Sequence, residues 1–459
     1  MNQYGKYKPS GIEWIGEIPE HWDLVLLKRK LDGLKDGTHG TYLRTNKGKP
    51  LLSAKNVYFD GIKISDNESL ISEENHDEIV KNGYPQYGDL LLTIVGTIGR
   101  CFVYNLEYPL AFQRSVLFLR FKKRINPKYY YYFFQSPLFS NRLLSLAKTS
   151  AQSGVYMNDV AESIVLELPK QEQTAIANYL DEKTTQIDDL ITKKEKLIDL
   201  LNEEKTAVIN QAVTKGLDPN SPMKDSSIPS LGEIPAHWHM KKIKHVLLRK
   251  RTALKTGPFG SQLKTTDFVL NGRYKVYNQR NVLDDDFDLG DDFIDDQKFR
   301  ELKEFEIFPG DILITTRGTI GKCAIFPSKK RDGVLHPCLI RIQVDEGIVL
   351  KDWITNYINN SSLFLSAVLL ESNATTIDVI YGTDLKEIVI PVPNDLREQR
   401  DVLEYINNQL LRIRETTRKI NKEIELLQEY RTVLISEAVT GKIDIRGVNA
   451  NDALCRMGT

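Results

Sequence analysis

A mixed α/β (α+β) fold, with two homologous globular domains separated by two long antiparallel coiled-coil helices, is what this 459-residue sequence predicts. Three observations carry it. The segment Gln171 to Val213 returns as Arg397 to Val439 at a constant offset of 226, which places Glu172-Gln173 on Glu398-Gln399 and Ala212-Val213-Thr214 on Ala438-Val439-Thr440. An opening motif, Gly16-Glu-Ile-Pro-Glu-His-Trp22, returns as Gly232-Glu-Ile-Pro-Ala-His-Trp238. Between opening and helix, Gly88-Asp-Leu-Leu-Leu-Thr-Ile-Val-Gly-Thr-Ile-Gly-Arg-Cys-Phe-Val103 returns as Gly310-Asp-Ile-Leu-Ile-Thr-Thr-Arg-Gly-Thr-Ile-Gly-Lys-Cys-Ala-Ile325. The chain is a pseudo-two-fold internal repeat.

The helices follow from periodicity. Alternate steps of four and three from Ile176 reach Leu180, Lys183, Ile187, Leu190, Lys194, Leu197, Leu201, Glu204 and Val208, and seven of the ten positions are apolar. Adding 226 gives the same score from Val402 to Leu434, with Tyr430 counted as apolar. Such a seam predicts a coiled coil, and the other copy is the nearest partner. A helix of this length spans roughly 64 Å at about 1.5 Å per residue, so it acts as a spacer as well as a core. Pro169 precedes the first helix; Pro391 and Pro393 precede the second, with Asp395 and Glu398 in capping-box spacing, and Gly216 and Gly441 close the two.

These marks assign residues 1–168 to a first domain, 169–215 to the first spacer helix and 216–230 to a linker. Residues 231–393 form a second domain, 394–441 the second helix and 442–459 a lightly packed polar tail. Within each domain a glycine-marked loop comes first, Asp36-Gly-Thr-His-Gly-Thr41 or Thr256-Gly-Pro-Phe-Gly-Ser-Gln-Leu-Lys264. A short strand ending in Ala54-Lys-Asn-Val57 or Gln279-Arg-Asn-Val282 follows. The Gly-Thr-Ile-Gly segments read as strand, turn, strand, with glycines that permit positive φ. Another strand then precedes an aromatic helix, Tyr129-Tyr-Tyr-Tyr-Phe-Phe134 or Trp353-Ile-Thr-Asn-Tyr-Ile358, whose rings are expected in the core.

Composition narrows the function. Lys and Arg total 62 and so do Asp and Glu, which argues against binding nucleic acid by bulk charge alone. Basic clusters at Lys28-Arg29-Lys30, Lys122-Lys123-Arg124, Lys241-Lys242 and Arg249-Lys250-Arg251 fit solvated faces or local contacts, and the eight aspartates between Asp284 and Asp296 fit a solvated loop. No apolar run approaches the roughly 18 residues of a membrane span, no secretory leader is expected after Met1, and four scattered cysteines without a C-x-x-C pair fit a cytoplasmic protein with no zinc site. There is no P-loop, H-E-x-x-H or G-x-S-x-G, no Asn-Pro-Pro-Tyr for base methylation, and no glycine-rich loop for a methionine-derived cofactor. His21 and His237, each beside a tryptophan, read as packing residues. No catalytic residue, metal ligand or cofactor-binding residue is expected in this chain.

The repeated opening motif, the G-D-x-L-x-T-x-x-G-T-I-G-[RK] turn, the Glu-Gln helix starts and the Ala-Val-Thr ends, in this order and twice, resemble the DNA-specificity subunit of type I restriction-modification systems. The resemblance covers nearly the whole chain. It implies two target recognition domains, each reading one half of a split double-stranded DNA site, and antiparallel helices that hold them apart. It also implies two methylating subunits as partners, with S-adenosylmethionine on them, and through them restriction/translocase subunits that use ATP with Mg. Shared charge with such partners would account for the neutral balance. The candidate base readers are the loop residues that differ between the copies: Thr38, His39 and Thr41 against Ser261, Gln262 and Lys264; Gln113 and Arg114 opposite His336 and Pro337; Ser150 and Gln152 near Thr375 and Thr376; with Arg280 and Arg317 in addition. A freestanding DNA-binding adaptor or a coiled-coil scaffold are the alternatives. The first would need no methylating partner, and the second would show no preference among DNA sequences.

Overall fold

Each copy of the repeat builds the same pair of sheets. The computed structural model describes residues 3–148, 153–229, 231–360, 362–372 and 379–446, which fall into two units, residues 1–195 with 421–459 and residues 196–420. In the first unit an antiparallel sheet runs in the order Cys101–Val103, Leu90–Thr93, Val116–Phe121, Leu31–Asp36. Its two central strands read Leu-Leu-Leu-Thr and Val-Leu-Phe-Leu-Arg-Phe, near-continuous apolar runs buried on both faces. The second unit repeats this order with Cys323–Ile325, Ile312–Thr315, Leu339–Ile342 and Leu254–Thr256. In a smaller sheet Lys49–Leu52 pairs in parallel with Ala111–Phe112 and antiparallel with Leu70–Ile71; Tyr274–Tyr277, Gly333–Leu335 and Phe293–Ile294 are its counterparts. The predicted α/β class and internal repeat are what the chain adopts.

The Gly-Thr-Ile-Gly segments are tight turns between strands, with positive φ at Gly96, Gly99, Gly318 and Gly321. The aromatic helix is core: Tyr129, Tyr130, Phe133, Phe134 and Trp353 are all buried. The Ala-Lys-Asn-Val and Gln-Arg-Asn-Val segments are not strand ends. Ala54–Asn56 is a 3-10 turn and Gln279–Leu283 a short helix, because the buried amide of Asn56 caps Ser53 N at 2.9 Å and that of Asn281 caps Asn278 N at 3.0 Å. The aspartate-rich loop is more than solvated surface, since the buried Lys275 ammonium donates to the carbonyls of Phe287 and Asp288 at 3.1 and 2.8 Å and holds it down. In the tail, Ile443 and Ile445 join the core of the first unit.

The long helices span Lys170–Lys215 and Leu396–Val439, 46 and 44 residues. Within the first unit Asp188 pairs with Arg431 and Lys194 with Glu423, and within the second Glu204 pairs with Arg412 while Gly216 lies beside Glu398, so the pair is antiparallel in each. The seam differs from the predicted phase. Leu180, Ile187, Lys194 and Leu201 lie on it, but Leu190 and Leu197 are exposed and Ile191 and Ile198 take their places; in the second helix Thr417 and Ile424 replace Thr416 and Glu423. Steps of four and three fit either order of alternation, and the isoleucines next to the leucines made both orders apolar. The capping box also differs. Asp395 accepts from Arg397 N at 2.8 Å, but Glu398 turns to His237 and Trp238.

The repeated motifs converge where each long helix meets its domain. Glu172 accepts from Trp22 Nε1 at 2.9 Å and lies 2.8 Å from His21 Nε2, while Gln173 donates to Leu168 O and accepts from Asn126 N. Glu398 and Gln399 do the same with Trp238, His237, Pro393 O and Leu350 N. His21 and His237 are therefore polar partners of the glutamates as well as packing residues. The Ala-Val-Thr end of the opposite helix completes each site: Ala438 and Val439 are buried in the first unit, Ala212 and Val213 in the second. Each ends in a glycine with positive φ, and a Cβ on Gly441 would stand 2.6 Å from the Pro19 ring. Met223–Asp225, within the segment read as a linker, pairs with Glu233–Pro235 as Tyr7–Pro9 pairs with Glu17–Pro19.

Candidate nucleic-acid interface

Backbone hydrogen bonds gather four loops at one edge of the first unit. Thr38 N donates to Phe112 O at 2.8 Å and Arg114 N to Thr38 O at 3.0 Å; Ile94 N donates to Ser115 O and Val155 N to Ile94 O, both at 2.9 Å. Gly37 allows this, because a Cβ there would stand 2.3 Å from the carbonyl oxygens of Phe112 and Gln113. Between the loops lies a cleft of about 780 Å³, lined by Asp36, His39, Arg114, Lys148, Tyr156 and Met157 among others. The second unit repeats the lattice: Gly257 N to Leu339 O at 2.9 Å, Thr316 N to Cys338 O at 3.0 Å, and Ile380 N to Thr316 O at 3.0 Å. Elements that fold alike thus present side chains that differ.

His39 and Arg114 share the cleft, with His39 Nε2 2.6 Å from the Asp36 carboxylate. Thr41 is exposed on the same loop, whereas the Thr38 hydroxyl is engaged by Tyr42 OH at 3.0 Å and Gly40 N at 3.1 Å. Gln113 is half-buried on the neighbouring segment. Ser261, Gln262 and Lys264 are exposed, and the Gln262 side-chain Oε1 accepts from Phe259 N at 2.9 Å. Arg317 is exposed at the bridge to Val379. Arg280 is exposed beside Asp284, on a turn whose Gln279 reaches Thr319 O at 3.4 Å. Ser150, Gln152, Thr375 and Thr376 lie outside the described residues.

The loops correspond differently from the pairing read in the sequence. Gly37 and Gly257 occupy the same place, each against the carbonyl of the facing segment, so the counterpart of His39 is Phe259, which is 80% exposed. Ser261 therefore matches Thr41, and Lys264 matches Arg44. Sequence reading also passed over Lys148, whose ammonium sits 4.6 Å above the Tyr156 ring, and over Tyr156 and Tyr381. The spacing Tyr156-Met-Asn-Asp159 against Tyr381-Gly-Thr-Asp384 was the available signal.

Burial sets the electrostatics of the His336 segment in the second unit. Burial holds the His336 imidazole below its ordinary pKa, so it is neutral near pH 7, and its Nδ1 accepts from Cys338 N at 3.3 Å and lies 2.9 Å from the Cys338 thiol. Burial pushes that thiol up, which disfavours a nucleophilic thiolate. Among the described residues no group of three or more metal-ligating side chains occurs, and no helix is long and apolar enough to cross a membrane.

The fold is that of type I specificity subunits: the HsdS subunit of Thermoanaerobacter tengcongensis aligns with a TM-score of 0.54 at 13% identity, covering 96% of this chain and all of that one. A chain solved in work on complex assembly and conformational transition of a type I R-M system aligns at 0.66 and 14% identity, covering 93% of this chain and 99% of that one. The family described as type I restriction modification DNA specificity domain matches residues 40–200 and 237–426, and the chain belongs to it. Two relatives come from Methanocaldococcus jannaschii. A specificity subunit named for the type I restriction enzyme MjaX is 25% identical over 446 residues, 94% of this chain and 96% of its own length. The MjaVIII specificity subunit is 26% identical over 309 residues, 63% of this chain and 64% of its own. The chain is a DNA-sequence specificity subunit whose two domains match a bipartite site.

Proposed function

We propose that the first domain reads one half-site through the loops bearing His39, Thr41 and Arg114, and the second reads the other through those bearing Phe259, Ser261, Lys264 and Arg317. The observation that carries this is one backbone lattice presenting different side chains in its two copies. Arg and Lys suit guanine edges, Gln suits adenine, and Thr or Phe suits a thymine methyl. The helices act as the ruler between the half-sites, each about 66 to 69 Å long at roughly 1.5 Å per residue.

The same helices dock two methylating subunits. Leu190, Leu197 and Leu200 on the first, and Leu411, Leu426 and Val433 on the second, are exposed apolar side chains on otherwise charged surfaces, as helix-in-groove contacts require. S-adenosylmethionine, and ATP with Mg, bind on the partner subunits, and the whole complex works in the cytoplasm.

The test is reconstitution. The purified chain should bind DNA weakly and transfer no methyl group; with its methylating subunit it should methylate duplexes carrying a two-part site, and Leu197→Asp with Leu426→Asp should weaken co-purification. Methyl transfer by the chain alone would contradict a non-catalytic specificity subunit, and sequence-selective binding at full affinity without any partner would favour a freestanding adaptor.

A further inference from the structure

Tyr156 and Tyr381 occupy the same position in the two units. Each follows the residue bridged to the Gly-Thr-Ile-Gly turn by way of one buried neighbour: Gly154 bridges Val95, and Val379 bridges Arg317. Val155 and Ile380 lie buried below, and each tyrosine precedes a short helix, Met157–Ala161 or Gly382–Glu387. Their rings are 60% and 59% exposed. Neither hydroxyl has a hydrogen-bond partner among the described residues. The Lys148 ammonium lies over the Tyr156 ring, and both rings otherwise stand largely open to solvent.

Their neighbours differ between the copies. Val95 stands opposite Arg317, Arg114 opposite Pro337, His39 opposite Phe259 and Met157 opposite Gly382. Against these differences the tyrosine repeats, as does the turn threonine, Thr97 or Thr319, and both are exposed in each copy. Two readers of different half-sites must hold two stretches of duplex in the same pose, and what those stretches share is the sugar-phosphate backbone. Contacts to it set register and carry no base information. A phenol meets this need: its O–H donates to a phosphate oxygen while its ring packs on the adjoining deoxyribose. In the first unit Lys148, 4.6 Å from the ring, adds the charge that draws a phosphate there.

We propose that Tyr156 and Tyr381 are paired, sequence-independent positioning residues, each clamping one backbone phosphate and its sugar beside its own half-site. This rests on the DNA-reading function of the two domains. The test uses the complex assembled with methylating subunits and measures binding to its own duplex, to duplexes with one base changed in either half-site, and to a random duplex.

Tyr156→Ala and Tyr381→Ala should each weaken binding to every duplex by a common factor of about fivefold or more, the worth of one net hydrogen bond plus contact, with base preference unchanged. The Phe variants should lose the hydroxyl's share. Replacing phosphates singly by methylphosphonate should reveal one position per half-site at which wild type loses affinity and the Phe variant loses less. A shifted base preference in one half-site, unchanged affinity in both Ala variants, or a loss traced to failed subunit assembly in light scattering would each overturn the proposal. A wild-type complex with no preference for its own duplex would instead overturn the reading beneath it, and the proposal with it.

Discussion

The indole of Trp22 donates to the Glu172 carboxylate at 2.9 Å, and this one bond joins the opening motif of the first domain to the first turn of the long helix that leaves it. Trp238 and Glu398 repeat it at 2.8 Å. Trp22 is fully buried, so its N–H has no recourse to water if the acceptor is removed. Glu172→Ala should therefore cost roughly 1–3 kcal/mol in urea unfolding. Glu398 is the more exposed carboxylate, 30% against 10%, and Glu398→Ala should cost less. A larger loss in the second unit would contradict this ranking.

The fragment Met1 to Gly216 should form a two-fold dimer. It contains the Trp22 site and also Ala212, Val213 and Gly216, which meet Trp238 in the second unit as Ala438, Val439 and Gly441 meet Trp22 in the first. A second copy can supply the missing end. With methylating partners such a dimer should recognise an inverted repeat of one half-site, and a fragment that stays monomeric in light scattering would remove the basis for this.

The second unit should lose stability as pH falls below about 6.5. Burial lowers the His336 pKa in the folded chain, so below that value the unfolded chain takes up the proton first. The stability is present above the unfolded pKa and is lost as pH drops toward the folded one. Urea midpoints at about pH 8 and about pH 5 should differ more for wild type than for His336→Gln. Equal differences would show that the imidazole does not contribute.

The repeat, the sheets, the positive-φ turns and the aromatic core were all legible, because strand runs and glycine turns leave local signals. The seam phase was not: Leu190-Ile191 and Leu197-Ile198 are apolar pairs, and only the facing helix selects the isoleucines. At the interface the sequence marked the loops but not their correspondence. Gly37 and Gly257 are aligned by a backbone approach from segments more than seventy residues away, Gln113 and His336, which no local pattern carries. The purpose of Glu-Gln was likewise hidden, since its partners, His-Trp, lie about 150 residues upstream in the chain.

Lengthening both helices should lengthen the spacer. A heptad inserted after Glu204 and another after Leu411, at the Glu204–Arg412 pair, keeps the seam and the flanking ion pairs while adding about 10 Å of helix. At about 3.4 Å per base pair this is roughly three base pairs, which also turn the second half-site by roughly a hundred degrees. Affinity should fall, or the gain should settle at one or two base pairs. An unchanged spacer in a folded, assembled variant would show that the helices do not set it.

The separate reading of two half-sites is tested most directly by domain exchange. Residues 1–167 are replaced by the equivalent domain of a relative, the complex is assembled with its methylating subunits, and bound duplexes are selected from a random library and sequenced. The account predicts that one half-site takes the relative's sequence while the other half-site and the spacer stay as they were. Loss or change of both half-sites in a folded, assembled chimera would contradict it.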